Sequence, residues 1–181
     1  MKLHESITDR LKAFIEGQPM FFVATAPLDP HGHVNVSPKG LAGTFVVLDD
    51  HTVAYLDLTG SGAETAAHLR ENGRVTLMFC AFQGPPNIVR LHGRGRHVPL
   101  SDPEFTSLRA RFADHPGARG VVLVDVQRVS DSCGYAVPLM TQEGDRDLLT
   151  SWAGNRGDDG LESYRVKKNA VSIDGLPALG A

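Results

Sequence analysis

Met20-Phe21-Phe22-Val23-Ala24-Thr25-Ala26, then Asp29-Pro30-His31-Gly32, then His33-Val34-Asn35-Val36 is the stretch from which the architecture unfolds. Its first part is short, aromatic and β-branched, the composition of a buried strand. Its middle is turn chemistry, because proline presets φ and glycine permits positive φ. Its last part resumes an extended pattern, so residues 20–37 read as a β-hairpin. Upstream the period differs. Leu11, Phe14 and Ile15 recur at i, i+3, i+4 on a polar ground, and Gly17 follows, which predicts a short amphipathic helix.

Downstream, Phe45 to Leu48 and Thr52 to Asp57 are two more extended runs joined by the polar Asp49-Asp50-His51. Residues 63–72 switch to helical spacing and stop at Asn72-Gly73, where glycine accepts a left-handed cap. Arg74 to Ala81 is a buried-type strand, and Gly84-Pro85-Pro86 forces a loop. Ile88 to Val98 is a long strand. A helix follows to about Phe112, with Ser101 and Glu104 spaced as a capping box. Val121 to Val129 is β-branched; residues 145–154 and 160–169 look helical; Asp174-Gly175-Leu176-Pro177 reads as an irregular tail. Consecutive antiparallel-type strands with few crossover helices predict a mainly β (α+β) chain, a small barrel with helices outside. A doubly wound parallel sheet would need a helix after nearly every strand.

The chain of 181 residues suits one domain with a short appended piece, and 41% hydrophobic residues supply a core. A formal charge of -3 argues against a general nucleic-acid binder. No apolar run approaches the roughly 20 residues that span a bilayer. The start, Met1-Lys2-Leu3-His4-Glu5, lacks the apolar core of a signal peptide. Two cysteines, Cys80 and Cys133, form no disulfide framework, and a reducing cytoplasm is the expected location. His31 and His33 sit in a turn with no adjoining acid or cysteine, so no metal site is expected.

Four segments carry chemistry. In Asn35-Val36-Ser37-Pro38-Lys39-Gly40 a strand exits into a hydroxyl and an ammonium, which either hold an anion or form an ordinary turn with a solvated lysine. In Tyr55 to Thr65 a strand runs through Gly60-Ser61-Gly62 into a helix. Ser61 and Glu64 are spaced as a capping box, and the helix start either receives a phosphate or is simply well capped. In Ile88 to Arg96, period two places Arg90, His92, Arg94 and Arg96 on one face, for an anion, a subunit contact or solvent. In Ser132-Cys133-Gly134-Tyr135-Ala136-Val137-Pro138 the thiol has no basic neighbour in sequence, so it reads as structural or ligand-lining rather than nucleophilic.

Together these segments resemble the pyridoxamine 5'-phosphate oxidase family, the FMN-binding split β-barrels. The carriers are Phe22-Val23-Ala24-Thr25 with Val34 to Gly40, then Thr52 to Asp57 with Gly60-Ser61, then Asn72-Gly73-Arg74 with Val75 to Phe79. The resemblance implies a split β-barrel of about six antiparallel strands with peripheral helices over residues 1–140, and a helical extension over 141–181. It implies a homodimer holding FMN at the subunit interface. On this reading Val34, Asn35, Val36, Ser37, Pro38 and Lys39 lie along the cofactor, Leu56 and Asp57 sit beside the ring, and Thr59, Gly60, Ser61 and Gly62 receive the phosphate.

One departure matters. The vitamin-forming oxidases carry Ser-Arg-Lys where the helix starts. Alignment on Gly60-Ser61 puts Gly62 and Ala63 at the two cation positions; alignment on Asn72-Gly73-Arg74 puts Glu64 and Thr65 there. A charge pair at ~4 Å is worth on the order of 4 kcal/mol before desolvation at an effective dielectric near 20. Lys39 or an arginine of Arg90–Arg96 would have to compensate. The oxidases' late Arg-x-His also lacks a counterpart, which argues against pyridoxamine phosphate as substrate. The expectation is therefore an FMN-dependent oxidoreductase of unassigned substrate. The other readings are a carrier of flavin, deazaflavin or haem on the same barrel, and a ligand-free structural dimer.

Overall fold

The structure is a computed structural model and describes residues 1–179. In chain order the elements are β1 (Lys2–His4), α1 (Asp9–Glu16), β2 (Met20–Thr25), β3 (Asn35–Gly40), β4 (Phe45–Asp49), β5 (Thr52–Leu58), α2 (Glu64–Glu71), β6 (Arg74–Cys80), β7 (Ile88–Pro99), α3 (Phe105–Arg109), β8 (Ala118–Ser132) and α4 (Leu148–Lys168). One antiparallel sheet takes the order β3-β2-β6-β7-β8-β5-β4, and β1 pairs with β8. The sheet has eight strands rather than about six. Lys2–His4 is too short to show a period, and it is strand only because β8 is long enough to reach it.

The sheet curls into a half-barrel. Phe21 of β2 and Phe45 of β4 lie near opposite ends of the strand order, yet their rings touch at 5.1 Å between centroids. Phe79 stacks on Phe21 at 5.3 Å, and Tyr55 meets the same ring edge-on. Alternation places Phe21, Val23 and Thr25 inward on β2, as the hairpin pattern requires. Leu11 and Ile15 of α1 bury into this core, and Thr8 caps the helix by accepting from the Leu11 amide. A second core on the other side of β5 and β8 joins Ala54, Leu56, Val98 and Val121 to Leu108 and Phe112. Covered on both faces, β5 is buried without a break from Val53 to Asp57.

Four local expectations change. β3 continues through Ser37-Pro38-Lys39-Gly40 instead of turning there, because it is an edge strand and Pro38 forfeits no ladder bond the edge needs. Neither capping box forms: α2 has Ala63 at its N-cap and α3 has Glu104, both without a side-chain cap bond. Asp102 instead accepts from the Glu104 amide, and α3 ends at Arg109. Residues 145–154 and 160–169 are one element, α4, broken at Gly157 (φ 63°, ψ 175°). The tail is ordered: Val171 bridges Pro177, and Ala178 packs on Ala63, Ala66 and Ala67 of α2. The hairpin, the β5–β7 region and the stop at Gly73 (φ 71°) stand as read.

Candidate functional site

A cleft of ≈ 830 Å³ opens where the edge strand β3 meets the turn after β5. Ser37, Pro38, Lys39 and Gly40 form one wall. Leu56, Gly60, Gly62 and Thr65 form another, and Arg119 of β8 contributes a buried cation. Phe21, Phe82 and Met140 add apolar surface. Residues 140–149 cross the mouth as a strap. The Met140 amide donates to the Phe82 carbonyl, and Asp145 accepts from the Ala42 amide at 3.1 Å. Leu41, on the wall, holds φ 74°, a strained conformation for a branched residue. Thr44 secures that turn by donating to the Gly40 and Leu41 carbonyls.

Under the floor lies an ion cluster. Asp57 is 3% exposed and accepts from Arg119 Nε at 2.8 Å and Nη2 at 3.3 Å. His97 Nε2 lies 3.2 Å from the same carboxylate and Lys39 Nζ 3.9 Å from it. Burial alone would raise the Asp57 pKa. The Arg119 charge, the His97 hydrogen bond and the Lys39 charge overcome it and hold the carboxyl far below the usual range. The Lys39 contact spans the split, since β3 and β5 are not sheet neighbours. Tyr55 beside it is buried, and burial together with the Asp57 charge pushes its phenol well above the ordinary value.

Arg119 owes its direction to a β-bulge. Asp57 pairs with Gly120 and Leu58 with Ala118, so Arg119 is the extra residue on β8. A bulge re-aims a side chain, and here it swings a guanidinium onto a carboxylate of the neighbouring strand. Sequence reading missed Arg119. The available signal was an arginine set between Gly117 and Gly120 at the mouth of a β-branched run.

The expected site residues divide. Ser37, Pro38, Lys39, Leu56, Gly60 and Gly62 converge on the cleft. Asn35 stands behind it, donating to Thr25 Oγ1 and Thr65 Oγ1 and accepting from Ser37 Oγ. Val34 and Val36 face outward, 69% and 62% exposed. Asp57 lies under the floor, outside the cleft lining, where it holds Arg119 and Lys39. The Thr59 hydroxyl turns inward, off the cleft wall, to donate to the Gly117 carbonyl at 2.8 Å. Ser61 is exposed off the cleft wall, and its carbonyl accepts from Asn169. The arginines of β7 are also elsewhere: Arg90 donates to Ser132, Arg94 to the Asn72 carbonyl and Arg96 to Glu104.

Among the described residues no group of three or more histidines, cysteines or acids gathers as a metal site, and no helix is long and apolar enough to cross a membrane. His33 does find an acid, Asp174, at 2.6 Å across the length of the chain. Cys80 is buried, which pushes its thiol up, and Cys133 is exposed.

The family model for pyridoxamine 5'-phosphate oxidase matches residues 7–133. The pyridoxamine 5'-phosphate oxidase family protein ustO of Aspergillus flavus is 40% identical over 194 residues, covering 97% of this chain and 77% of its own. Among solved structures, HupZ of Group A Streptococcus superposes with a TM-score of 0.54 at 20% identity, covering 75% of this chain and 99% of its own. A protein of Clostridium acetobutylicum related to general stress protein 26 and assigned to the pyridoxinephosphate oxidase family superposes at 0.50 with 13% identity, covering 66% of this chain and 83% of its own. The two superpositions speak to the fold. The curled antiparallel sheet, the match across most of its strands and the 40% identity lead to one conclusion: the chain belongs to the pyridoxamine 5'-phosphate oxidase family.

Proposed function

We propose that the protein is a flavin-dependent oxidoreductase that holds FMN in this cleft, as a homodimer. The observation that carries the reading is the chemistry of the cleft wall. Leu56, Phe21 and Phe82 offer apolar surface for a flat ring, while Lys39 and Arg119 offer positive charge for its phosphate. The volume lies within the ~300–1,000 Å³ of small-molecule sites. Backbone groups of β3, an edge strand, are free of a sheet partner on one side and can hydrogen-bond the ring. Bound flavin supplies the hydride and electron transfer. The chain's own part is to bind, orient and screen: the strap of residues 140–149 limits water at the mouth, and the Asp57 cluster keeps two cations at the floor. Flavin is favoured over haem because, among the described residues, the wall holds no histidine, cysteine or tyrosine, the side chains that usually serve as the proximal haem ligand.

A visible spectrum of the purified protein tests this. The expected result is a flavin doublet, or its appearance on adding FMN, with lower occupancy in Lys39→Ala. A chain that binds no flavin ends the reading. Reduction of bound FMN by a nicotinamide coenzyme, with reoxidation and turnover, separates an enzyme from a carrier.

A further inference from the structure

The start of α2, where the vitamin-forming oxidases keep their phosphate cations, is already satisfied by an acid. Glu64 sits in its first turn, and Glu64 Oε1 accepts from the Ile173 amide at 3.3 Å. A carboxylate there favours the helix dipole and repels a phosphate. The β7 arginines are committed elsewhere. Arg119 is differently placed. A guanidinium has five N–H donors. Two of them hold Asp57, and Nη1 reaches the Gly60 carbonyl at a long 3.4 Å. Donors remain, and the side chain forms part of the cleft wall. The Lys39 ammonium makes no hydrogen bond among the described residues and rests 3.9 Å from Asp57. Two fixed cations around one carboxylate leave an excess positive charge at the floor. Beside it the loop is open: a Cβ on Gly60 would meet nothing within 4 Å.

We propose that Arg119 and Lys39, braced by Asp57, form an anion clamp that reads the phosphate of the flavin and replaces the cations missing from the start of α2. The inference rests on the flavin reading above and adds the residue that makes the site prefer a phosphorylated ligand. Asp57 is a positioning residue. It orients the guanidinium through two hydrogen bonds and lowers the cost of keeping two cations at the floor before ligand arrives.

FMN and riboflavin differ only in the phosphate, so the ratio of their affinities is the readout. It is measured on the full chain by quenching of flavin fluorescence. The intact protein is expected to prefer FMN by about tenfold to a hundredfold, the range for charge-assisted contacts to one anion. The double variant Asp57→Asn/Arg119→Gln removes opposite charges together and leaves no buried guanidinium or carboxylate unpaired. It should lose about tenfold of that preference while riboflavin affinity stays within about threefold. Arg119→Lys, which keeps the charge and loses the fork, should fall between the two. Arg96→Gln removes a cation of β7 that is held by Glu104 away from the cleft, and should leave the ratio in place. An unchanged ratio in both Arg119 variants, or a ratio that collapses in Arg96→Gln instead, overturns the clamp while flavin binding stands. Should neither variant fold, salt decides on the intact protein: FMN affinity must fall with added NaCl more steeply than riboflavin affinity, and parallel lines overturn the clamp. If the intact protein binds neither flavin, the flavin reading itself is overturned and the clamp with it.

Discussion

Asp57 shows how one side chain links stability to the site. A buried carboxylate is unfavourable unless paired, and this one is paired by Arg119, His97 and Lys39 together. Its folded pKa lies far below the unfolded value near 4. As pH falls, the unfolded chain therefore takes up the proton first. The stabilisation is complete above the unfolded pKa and is lost progressively below it. Asp49 and Asp174, both lowered by hydrogen bonds to neighbouring histidines, act in the same direction. A thermal-melt series should show stability dropping steeply below about pH 4. Asp57→Asn should flatten part of that drop and cost about 3–5 kcal/mol at neutral pH, because it strands buried Arg119. A melting temperature unmoved at pH 7 would contradict the pairing. The sequence offered Asp57 as a carboxylate ending a buried strand, beside the ring by resemblance; its partners come from residues 39, 97 and 119, which no local pattern joins.

At the level of elements, β8 positions the site. It has 15 residues, pairs with β1, β5 and β7, and bulges twice. One bulge aims Arg119. At the other, Arg128 pairs with His92 and Val126 with Gly93, leaving Gln127 extra. There the backbones close in so far that a Cβ on Gly93 would stand 2.0 Å from the Asp125 carbonyl oxygen. Gly93→Ala must push β7 from β8, at a cost of about 1–3 kcal/mol. That is a fall of roughly 2–12 °C in melting temperature for a chain this size, read by calorimetry. An unchanged melting temperature would show that the strands yield freely at this point. Strand identities were legible because Val, Ile and Phe alternate or cluster. The bulges were not, since an extra residue leaves the hydrophobic pattern intact until its partner strand is known.

For the whole molecule, closure and association remain. Val36 on the unpaired edge strand β3 and Val34 just before it leave apolar surface exposed, while Ser37 and Lys39 of the same strand line the cleft. Covering that surface with a second copy would place the cofactor site against the subunit contact, as expected for the proposed homodimer. Sedimentation should give a dimer at micromolar concentration. Val36→Asp should shift it toward monomer and reduce FMN affinity together. A monomer in the unaltered protein, or a monomeric variant with intact FMN binding, contradicts the arrangement.

The order of helices and strands, the half-barrel class and the choice of Ser37, Lys39, Leu56 and Gly60, which line one cleft, were written in the chain, because period, turn residues and motif spacing are local properties. The tertiary structure alone decided that Thr59 turns inward, that Glu64 accepts from the Ile173 amide, and that Arg119 joins Lys39 at the cleft. Those outcomes depend on which strands become neighbours and in what register. Charges far apart in sequence meet only after the sheet has curled, and a bulge then sets the direction of the guanidinium.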